Sequence, residues 1–183
     1  MKKRIAKVSL GCFAVLLAGV AMAVDFKVTT SDAKDGHFGQ AQFSGVFGCT
    51  GGNVSPQIAW SGAPEGTKSF LVSIYDKDAP TGSGWWHWVV ANIPANVTEL
   101  PQGAGNEAAK LPAGALQTLT DNGQAGYGGP CPPVGQMHDY VITVKALKVD
   151  KLPVPPNATG ALAGFVSNMN SLAQISITIK AGR

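Results

Sequence analysis

Two apolar runs that follow each other closely constrain the fold of this chain more than any other feature. Residues 69–75 (SFLVSIY) are almost continuously apolar and rich in β-branched side chains, and residues 86–93 form a second strong run that Pro94 closes. Runs of this length and composition are typical of buried β-strands. A turn containing Pro, Thr and Gly lies between them. The sequence therefore predicts a core built on β-structure.

The remaining segments extend this prediction to a single domain. Strands are predicted at residues 24–30, 57–60, 140–147 and 175–180, and one helix at about residues 160–173, with Thr159 as its N-cap. Residues 38–53 and 96–126 read mostly as loop, and 153–156 as a rigid turn. The chain shows no βαβ rhythm, internal repeat or low-complexity linker. Residues 24–183 are therefore predicted to form one mainly β domain, an antiparallel sandwich with a helix near the C-terminus.

Residues 1–23 have the pattern of a secretory signal peptide. Four basic residues precede an apolar run at 8–20, and Ala21, Met22 and Ala23 form a small-x-small cleavage site. The run is shorter than the ~20 residues that a membrane span needs. Cys12 precedes most of this run, which argues against a lipid-modified cysteine. We expect a mature protein that begins at Val24, is periplasmic or secreted, and has no stable membrane anchor.

The charge of the mature chain excludes one class of partner. The whole chain has 14 Lys and Arg residues and 11 Asp and Glu residues; cleavage would remove four bases and no acid, leaving 10 against 11 and a net charge of −1. A nearly neutral chain without basic clusters lacks the electrostatic footprint of a nucleic-acid-binding protein. We therefore expect no nucleic-acid partner.

Two cysteines, Cys49 and Cys131, would remain after cleavage. In an oxidising compartment they allow one disulfide, and two buried free thiols are the alternative. Each lies in a segment rich in Gly or Pro, where a covalent link restrains mobile chain. We predict that they pair.

Four polar side chains near the predicted strand ends are the candidates for chemistry. Because side chains alternate along a strand, His138 and Tyr140 are expected on one face and Asp139 on the other. His87 is expected to share a face with residues 89, 91 and 93, opposite the tryptophans at 86 and 88. The group predicted to converge on a polar pocket is Asp76, His87, His138 and Tyr140.

Other interpretations of these residues remain open. Each histidine could be an ordinary core histidine, and Asp76 and Asp78 could accept backbone hydrogen bonds in their turn. Two histidines and Asp76 could ligate zinc, but no short metal-ligand spacing is present, and we expect neither a metal nor a cofactor. A nucleophilic hydrolase would need a positioned Ser or Cys, and no G-x-S-x-G elbow occurs.

Two long motifs resemble those of the phosphatidylethanolamine-binding protein family, especially its bacterial, Raf-kinase-inhibitor-like branch. The first is DKDAP with GWWHW at residues 76–88, and the second is GPCPP with H-x-Y at residues 129–140. The resemblance covers essentially the whole mature chain. It implies antiparallel sheets with Greek-key connections and a small pocket for phosphate-type anions. The implied lining is Asp76, His87, His138 and Tyr140, with the backbone of Cys131 and Pro132 at the rim.

Two positions depart from the pattern of that family. Lys77 stands where Pro is common, and Asp139 where Arg or another polar residue is common. Neither replaces an implied pocket residue, but each alters the charge beside the pocket.

The sequence leaves three functions in competition. The favoured one is a non-enzymatic periplasmic protein that binds a phosphate- or carboxylate-bearing group of a small molecule or of a modified protein. The second is an interaction or inhibitor protein that acts through surface loops. The third is a hydrolase with His87 or His138 as base. Fold alone does not choose between them, and the oligomeric state is not predicted.

Overall fold

The structure, a computed structural model, describes residues 25–183 as two sheets and one α-helix. The predicted signal peptide, and with it Val24, lies outside the described residues. The ten strands are β1 (Lys27–Thr29), β2 (Ala33–Lys34), β3 (His37–Phe38), β4 (Ile58–Ser61), β5 (Ser69–Asp76), β6 (Trp85–Pro94), β7 (Glu99–Leu100), β8 (Leu116–Gln117), β9 (Met137–Leu147) and β10 (Ser171–Gly182). The α-helix is α1 (Gly160–Asn170), and a short 3₁₀ helix covers Ala108–Lys110.

The strands form one small and one large sheet. The small sheet has the order β1-β4-β7, and the large sheet has the order β2-β3-β10-β9-β5-β6-β8. All pairs are antiparallel except β3 with β10. Within the large sheet, β9, β5, β6 and β8 lie side by side in that order, which is a Greek key. The predicted mainly β, antiparallel sandwich with Greek-key connections is confirmed.

The two faces of the large sheet bury different partners. One face packs against the small sheet, so that Trp60 and Leu100 of the small sheet contact the same core as Phe70 and Ile142 of the large one. The other face packs against α1 through Ala163 and Val166. Helix α1 begins where predicted, because the Thr159 hydroxyl accepts a hydrogen bond from the backbone N–H of Leu162 at 3.2 Å. The centre of the sheet is therefore buried on both sides, as its apolar strands require.

Several predicted boundaries are wrong by a few residues. The strand predicted at 140–147 begins at Met137, so His138 lies inside β9 and not at its mouth. The helix predicted to reach residue 173 ends at Asn170, because Ser171 already pairs with Leu147 as the first residue of β10. Pairing with a long neighbouring strand thus replaces the last helical turn.

Candidate functional site

The four predicted polar residues converge on one pocket of about 250 Å³. Asp76 is the last residue of β5 and pairs directly with Tyr140 in β9. His87 comes from β6 on the other side of β5, and His138 stands two residues before Tyr140. Cys131 and Pro132 also line the pocket, as the family resemblance implies.

A bulge in β6 aims His87 into this pocket. Ile74 pairs with Trp88 and Tyr75 pairs with Trp86, so His87 is an extra residue without a partner of its own. A bulge resets the alternation of side chains. The ring of His87 consequently contacts Tyr140, with 5.1 Å between ring centroids, on the side where Trp88 is buried. The prediction that His87 and Trp88 lie on opposite faces of the sheet is wrong.

A second bulge changes the alternation of side chains near the C-terminal end of β6. A second register shift lies between Phe70 and Val72 of β5, opposite residues 90–93 of β6. It places Ile93 in the core against the small sheet, whereas Val89 and Ala91 pack toward α1. Val89 and Ala91 therefore do not share a face with His87 as predicted, whereas Ile93 does.

Asp76 is held at the base of the pocket by two hydrogen bonds. Its Oδ2 accepts from Nδ1 of His138 at 2.7 Å, and its Oδ1 accepts from the backbone N–H of Asp78 at 2.9 Å. The side chains of Asp76 and His138 are each only 4% exposed. The side-chain amide of Gln136 lies 3.0 Å from Nε2 of His138, so both ring nitrogens have protein partners.

His87 presents a hydrogen-bond acceptor to the pocket. Its Nδ1–H donates to the carbonyl of Gly128 at 2.6 Å, which fixes the tautomer and leaves the lone pair of the neutral ring on Nε2. Burial lowers the pKa of His87, opposed by the Gly128 carbonyl and then by the charge of Asp76. The imidazole therefore stays neutral near pH 7.

Tyr140 carries a hydroxyl donor that is unpartnered among the described residues. Its hydroxyl is fully buried near the carboxylate of Asp76, but it makes no hydrogen bond of good geometry within residues 25–183. Burial, and after it the charge of Asp76, raises the pKa of this phenol, so the hydroxyl keeps its proton. A buried hydroxyl without a partner is costly, and the residue that carries this one lines the pocket.

The walls around this polar base are mostly apolar. Sequence reasoning missed several of the contributing loop residues, because loop residues carry no periodic signal. Among the described residues that line the pocket, none is Lys or Arg. The apolar walls are formed by Phe47, Ala79, Pro80, Trp85, Pro132 and Pro133.

A disulfide joins the two loops that form one wall. Cys49 and Cys131 are linked with 5.9 Å between their Cα atoms, across a sequence separation of 82 residues. Beside it, Arg183 donates from Nε to the carbonyl of Pro132 and from Nη1 to that of Gly48, both at 2.7 Å. The predicted pairing of the two cysteines is confirmed.

The two residues that depart from the family pattern contact each other. Nζ of Lys77 lies 3.0 Å from Oδ2 of Asp139, and Lys180 contacts the other oxygen of that carboxylate at 2.8 Å. Hydrogen bonds from Lys180 and then Lys77 lower the pKa of Asp139. Asp78 also belongs to this cluster, because its Oδ2 accepts the backbone N–H of Asp139 at 2.8 Å. Asp139 lies on the face of β9 away from the pocket, as predicted.

Three further features of the described residues concern metal binding, membrane spans and a second depression. In the part of the chain from residue 25 onward, no group of three His, Cys, Asp or Glu side chains is arranged to hold a metal ion. Among the described helices, none is long and apolar enough to cross a membrane. A larger depression of about 440 Å³, lined by His37, Met137 and Lys180, contains none of the four converging side chains.

Comparison with known proteins identifies the family. The sequence model of the phosphatidylethanolamine-binding proteins matches residues 30–181. This chain belongs to that family. The UPF0098 protein YbcL of Escherichia coli is 54% identical over 162 residues, which cover 86% of this chain and 88% of that protein. The UPF0098 protein YbhB of the same organism is 49% identical over 156 residues, covering 83% and 97%.

A solved structure supports the same grouping. The crystal structure of Escherichia coli YbcL, described as a new member of the mammalian family, superposes with a TM-score of 0.83 at 51% identity. The match covers 86% of this chain and 98% of that one. A more distant relative, 38% identical over 119 residues, is the putative lipoprotein LppC of Mycobacterium tuberculosis; the match covers 64% of this chain and 54% of LppC.

Proposed function

We propose that this protein is an exported, non-enzymatic binding protein whose pocket takes a singly protonated phosphate-type group. The observation that carries the proposal is Tyr140, a residue of the pocket lining whose buried hydroxyl has no hydrogen-bond partner within residues 25–183. Nε2 of His87 also has no partner in the described part of the chain. The pocket lining thus includes one donor and one acceptor, on rings whose centroids lie 5.1 Å apart.

This pair suits a monoanion better than a dianion. The Tyr140 hydroxyl donates to an unprotonated oxygen of the ligand, and the remaining P–OH of the ligand donates to Nε2 of His87. A phosphate monoester loses that proton with a pKa near 6. The carboxylate of Asp76, which His138 holds in place, would repel a second negative charge. Binding should therefore strengthen as the pH falls from about 8 towards 6.

The absence of a cation from the described lining residues sets the expected affinity. Arg and Lys are the residues that usually give phosphate sites their strength. Without them, the dissociation constant should lie between about 1 μM and 1 mM. The family name, which refers to a phosphate-bearing lipid, agrees with this ligand class.

A titration followed by NMR tests the proposal. Labelled protein is titrated with phosphate and with O-phosphorylethanolamine, and the imidazole signals of His87 and His138 are followed. We expect both to move and to saturate below tens of millimolar. If both stay still, the anion pocket is not used, and the loop-mediated alternative below takes its place.

Export is the second part of the proposal. It is supported by the signal-like residues 1–23, by the Cys49–Cys131 disulfide and by a relative that is named a lipoprotein. Intact mass of protein from a periplasmic extract should correspond to a chain that begins at Val24. A mass that includes residues 1–23 would contradict export by cleavage.

The hydrogen bonds of the serine and threonine hydroxyls in the pocket wall favour a binding protein over a hydrolase. Ser44 and Thr81 are the hydroxyl residues of the pocket wall, apart from Tyr140. Thr81 Oγ1 donates to the carbonyl of Gly84 at 2.5 Å, and Ser44 Oγ contacts the backbone of Val46. Neither is bonded to an imidazole that could activate it. Turnover of a phosphate ester that His87→Ala abolishes would favour a hydrolase instead.

Exposed apolar side chains near the pocket favour a second candidate, a protein-interaction role. Phe47 is 72% exposed and Val134 is 79% exposed, on the two loops that the disulfide joins. Apolar side chains presented on surface loops are common at protein interfaces. If Phe47→Ser abolishes capture of a partner while Tyr140→Phe has no effect on it, the loops and not the pocket carry the function.

A further inference from the structure

One wall of the pocket consists of two loops that are fastened to each other at two levels. Close to the core, the N–H of Ser44 donates to the carbonyl of Pro130 at 2.9 Å, and the N–H of Gly129 donates to Oδ1 of Asn53 at 2.7 Å. Farther out, the Cys49–Cys131 disulfide and the two bonds of Arg183 join the same loops. Only the outer level includes a bond that reduction breaks.

The outer level holds a turn in an unfavourable conformation. The carbonyl of Val46 accepts from the N–H of Cys49 at 3.1 Å, and between them Phe47 has a φ of 57° and Gly48 a φ of 77°. Left-handed backbone is natural for Gly but disfavoured for Phe. Such a residue keeps its conformation only where its surroundings impose it. The side chain of Phe47 forms part of the pocket wall in this conformation.

The two sulfur atoms differ in their surroundings. Cys49 is 8% exposed and lines the depression of about 440 Å³ instead of the anion pocket, whereas Cys131 is half-buried and lines the anion pocket. A thiolate that approaches from the pocket therefore reaches Cys131 first. A ligand that fills the pocket would lie across the same approach.

From these contacts we propose that the Cys49–Cys131 disulfide is a redox-sensitive lock on the pocket. Oxidised, it fixes Phe47 against the apolar part of the ligand; reduced, it releases Phe47 and weakens binding. This inference rests on the proposed function and concerns its regulation. The inner hydrogen bonds and the Asp76–His138 pair do not involve sulfur, so the domain and the base of the pocket remain intact on reduction.

The exchange needs a dithiol reductant. One of its thiolates attacks Sγ of Cys131, forming a mixed disulfide, and the Cys49 sulfur leaves as a thiolate that takes up a proton. The second thiolate of the reductant then attacks the other sulfur of the reductant, which is bonded to Cys131 in the mixed disulfide. Cys131 is released as a thiol, and the reductant becomes a disulfide. Two electrons pass to the protein, and the two protons come from the thiols of the reductant.

Binding constants for two ligands in both redox states test the lock. Phenyl phosphate carries an apolar ring that reaches the wall, and inorganic phosphate occupies only the base. On reduction with dithiothreitol, we expect phenyl phosphate to bind about three- to tenfold more weakly and inorganic phosphate to change by less than about twofold. In the oxidised protein, Phe47→Ala should reproduce the loss for phenyl phosphate. Val46→Ala, which removes an exposed neighbour that does not line the pocket, should not.

The outcomes separate the lock from the pocket itself. Equal affinity of phenyl phosphate for the oxidised and reduced protein, with binding intact, overturns the lock and leaves the pocket function standing. Failure of both ligands to bind the oxidised protein overturns the pocket function, and the lock falls with it. A Cys49→Ser, Cys131→Ser variant that fails to fold, or loss of the native amide signals of β5 on reduction, would show that the disulfide holds the domain and not the wall. Saturating phenyl phosphate should also slow reduction, because ligand and reductant compete for the same side of Cys131.

Discussion

At the scale of single residues, burial of His87 connects the stability of the protein to pH. A histidine whose pKa is lowered in the folded state binds fewer protons there than in the unfolded chain. Its contribution to stability is therefore complete above the ordinary pKa of about 6.5 and is lost as the pH falls below that value.

We expect the free energy of unfolding to decrease between pH 7 and pH 5, with a limiting slope for one proton of about 1.4 kcal/mol per pH unit. In a His87→Gln variant this dependence should be smaller, since the group that titrates differently is gone. Urea denaturation at several pH values checks it. Identical pH profiles for both proteins would mean that His87 is not buried in neutral form.

The charge cluster around Asp139 should affect stability and not the ligand. Asp139→Arg would bring a third cation next to Lys77 and Lys180, so the urea midpoint should fall. Asp139→Asn is the matched control, and its urea midpoint should fall less. Because the side chain points away from the pocket, ligand affinity should stay nearly constant. A tenfold change in affinity, about 1.4 kcal/mol, would show that the two faces of β9 are coupled.

At the scale of elements, the contact between α1 and β6 depends on glycine. A Cβ atom at Gly160 would lie 2.6 Å from the Trp86 ring, whereas a Cβ at Gly164 would lie 3.6 Å from it, an ordinary contact distance. The first turn of α1 can therefore approach the sheet only because residue 160 has no side chain.

Gly160→Ala should destabilise the protein by about 1–3 kcal/mol through overpacking against Trp86. Gly164→Ala, in the same helix, should be neutral or stabilise by up to about 1 kcal/mol, because Ala has the higher helix propensity. Thermal or urea denaturation of the two variants compares them directly. Similar effects of both substitutions would contradict the close contact at Gly160.

These elements also show what the sequence could predict. The buried strands β5 and β6 follow from their apolar runs, and the start of α1 follows from Thr159, because both signals are local. The bulge at His87 was not predictable from β6 alone, since it arises from pairing with β5. The C-terminal end of α1 was missed for a related reason: pairing of Ser171 with β9 decides it.

At the scale of the whole molecule, the order of strands in the large sheet brings the residues of the site together. Asp76, His87 and Tyr140 meet because β6, β5 and β9 are neighbours in the Greek key. Motif resemblance identified these residues, but it did not give their roles. The donor and acceptor assignments depend on the Gly128 carbonyl and on the burial of Tyr140, which only the folded chain defines.

The central claim is that Tyr140 donates to a monoanionic ligand that in turn donates to His87. The measurement that tests it most directly is the dissociation constant of O-phosphorylethanolamine at pH 6 and pH 8, for the wild type and for Tyr140→Phe. We expect the wild type to bind more tightly at pH 6. The variant should keep its stability, because it loses an unpartnered buried hydroxyl, and bind about tenfold more weakly. Unchanged affinity in a folded Tyr140→Phe variant, or tighter binding at pH 8, would contradict the account.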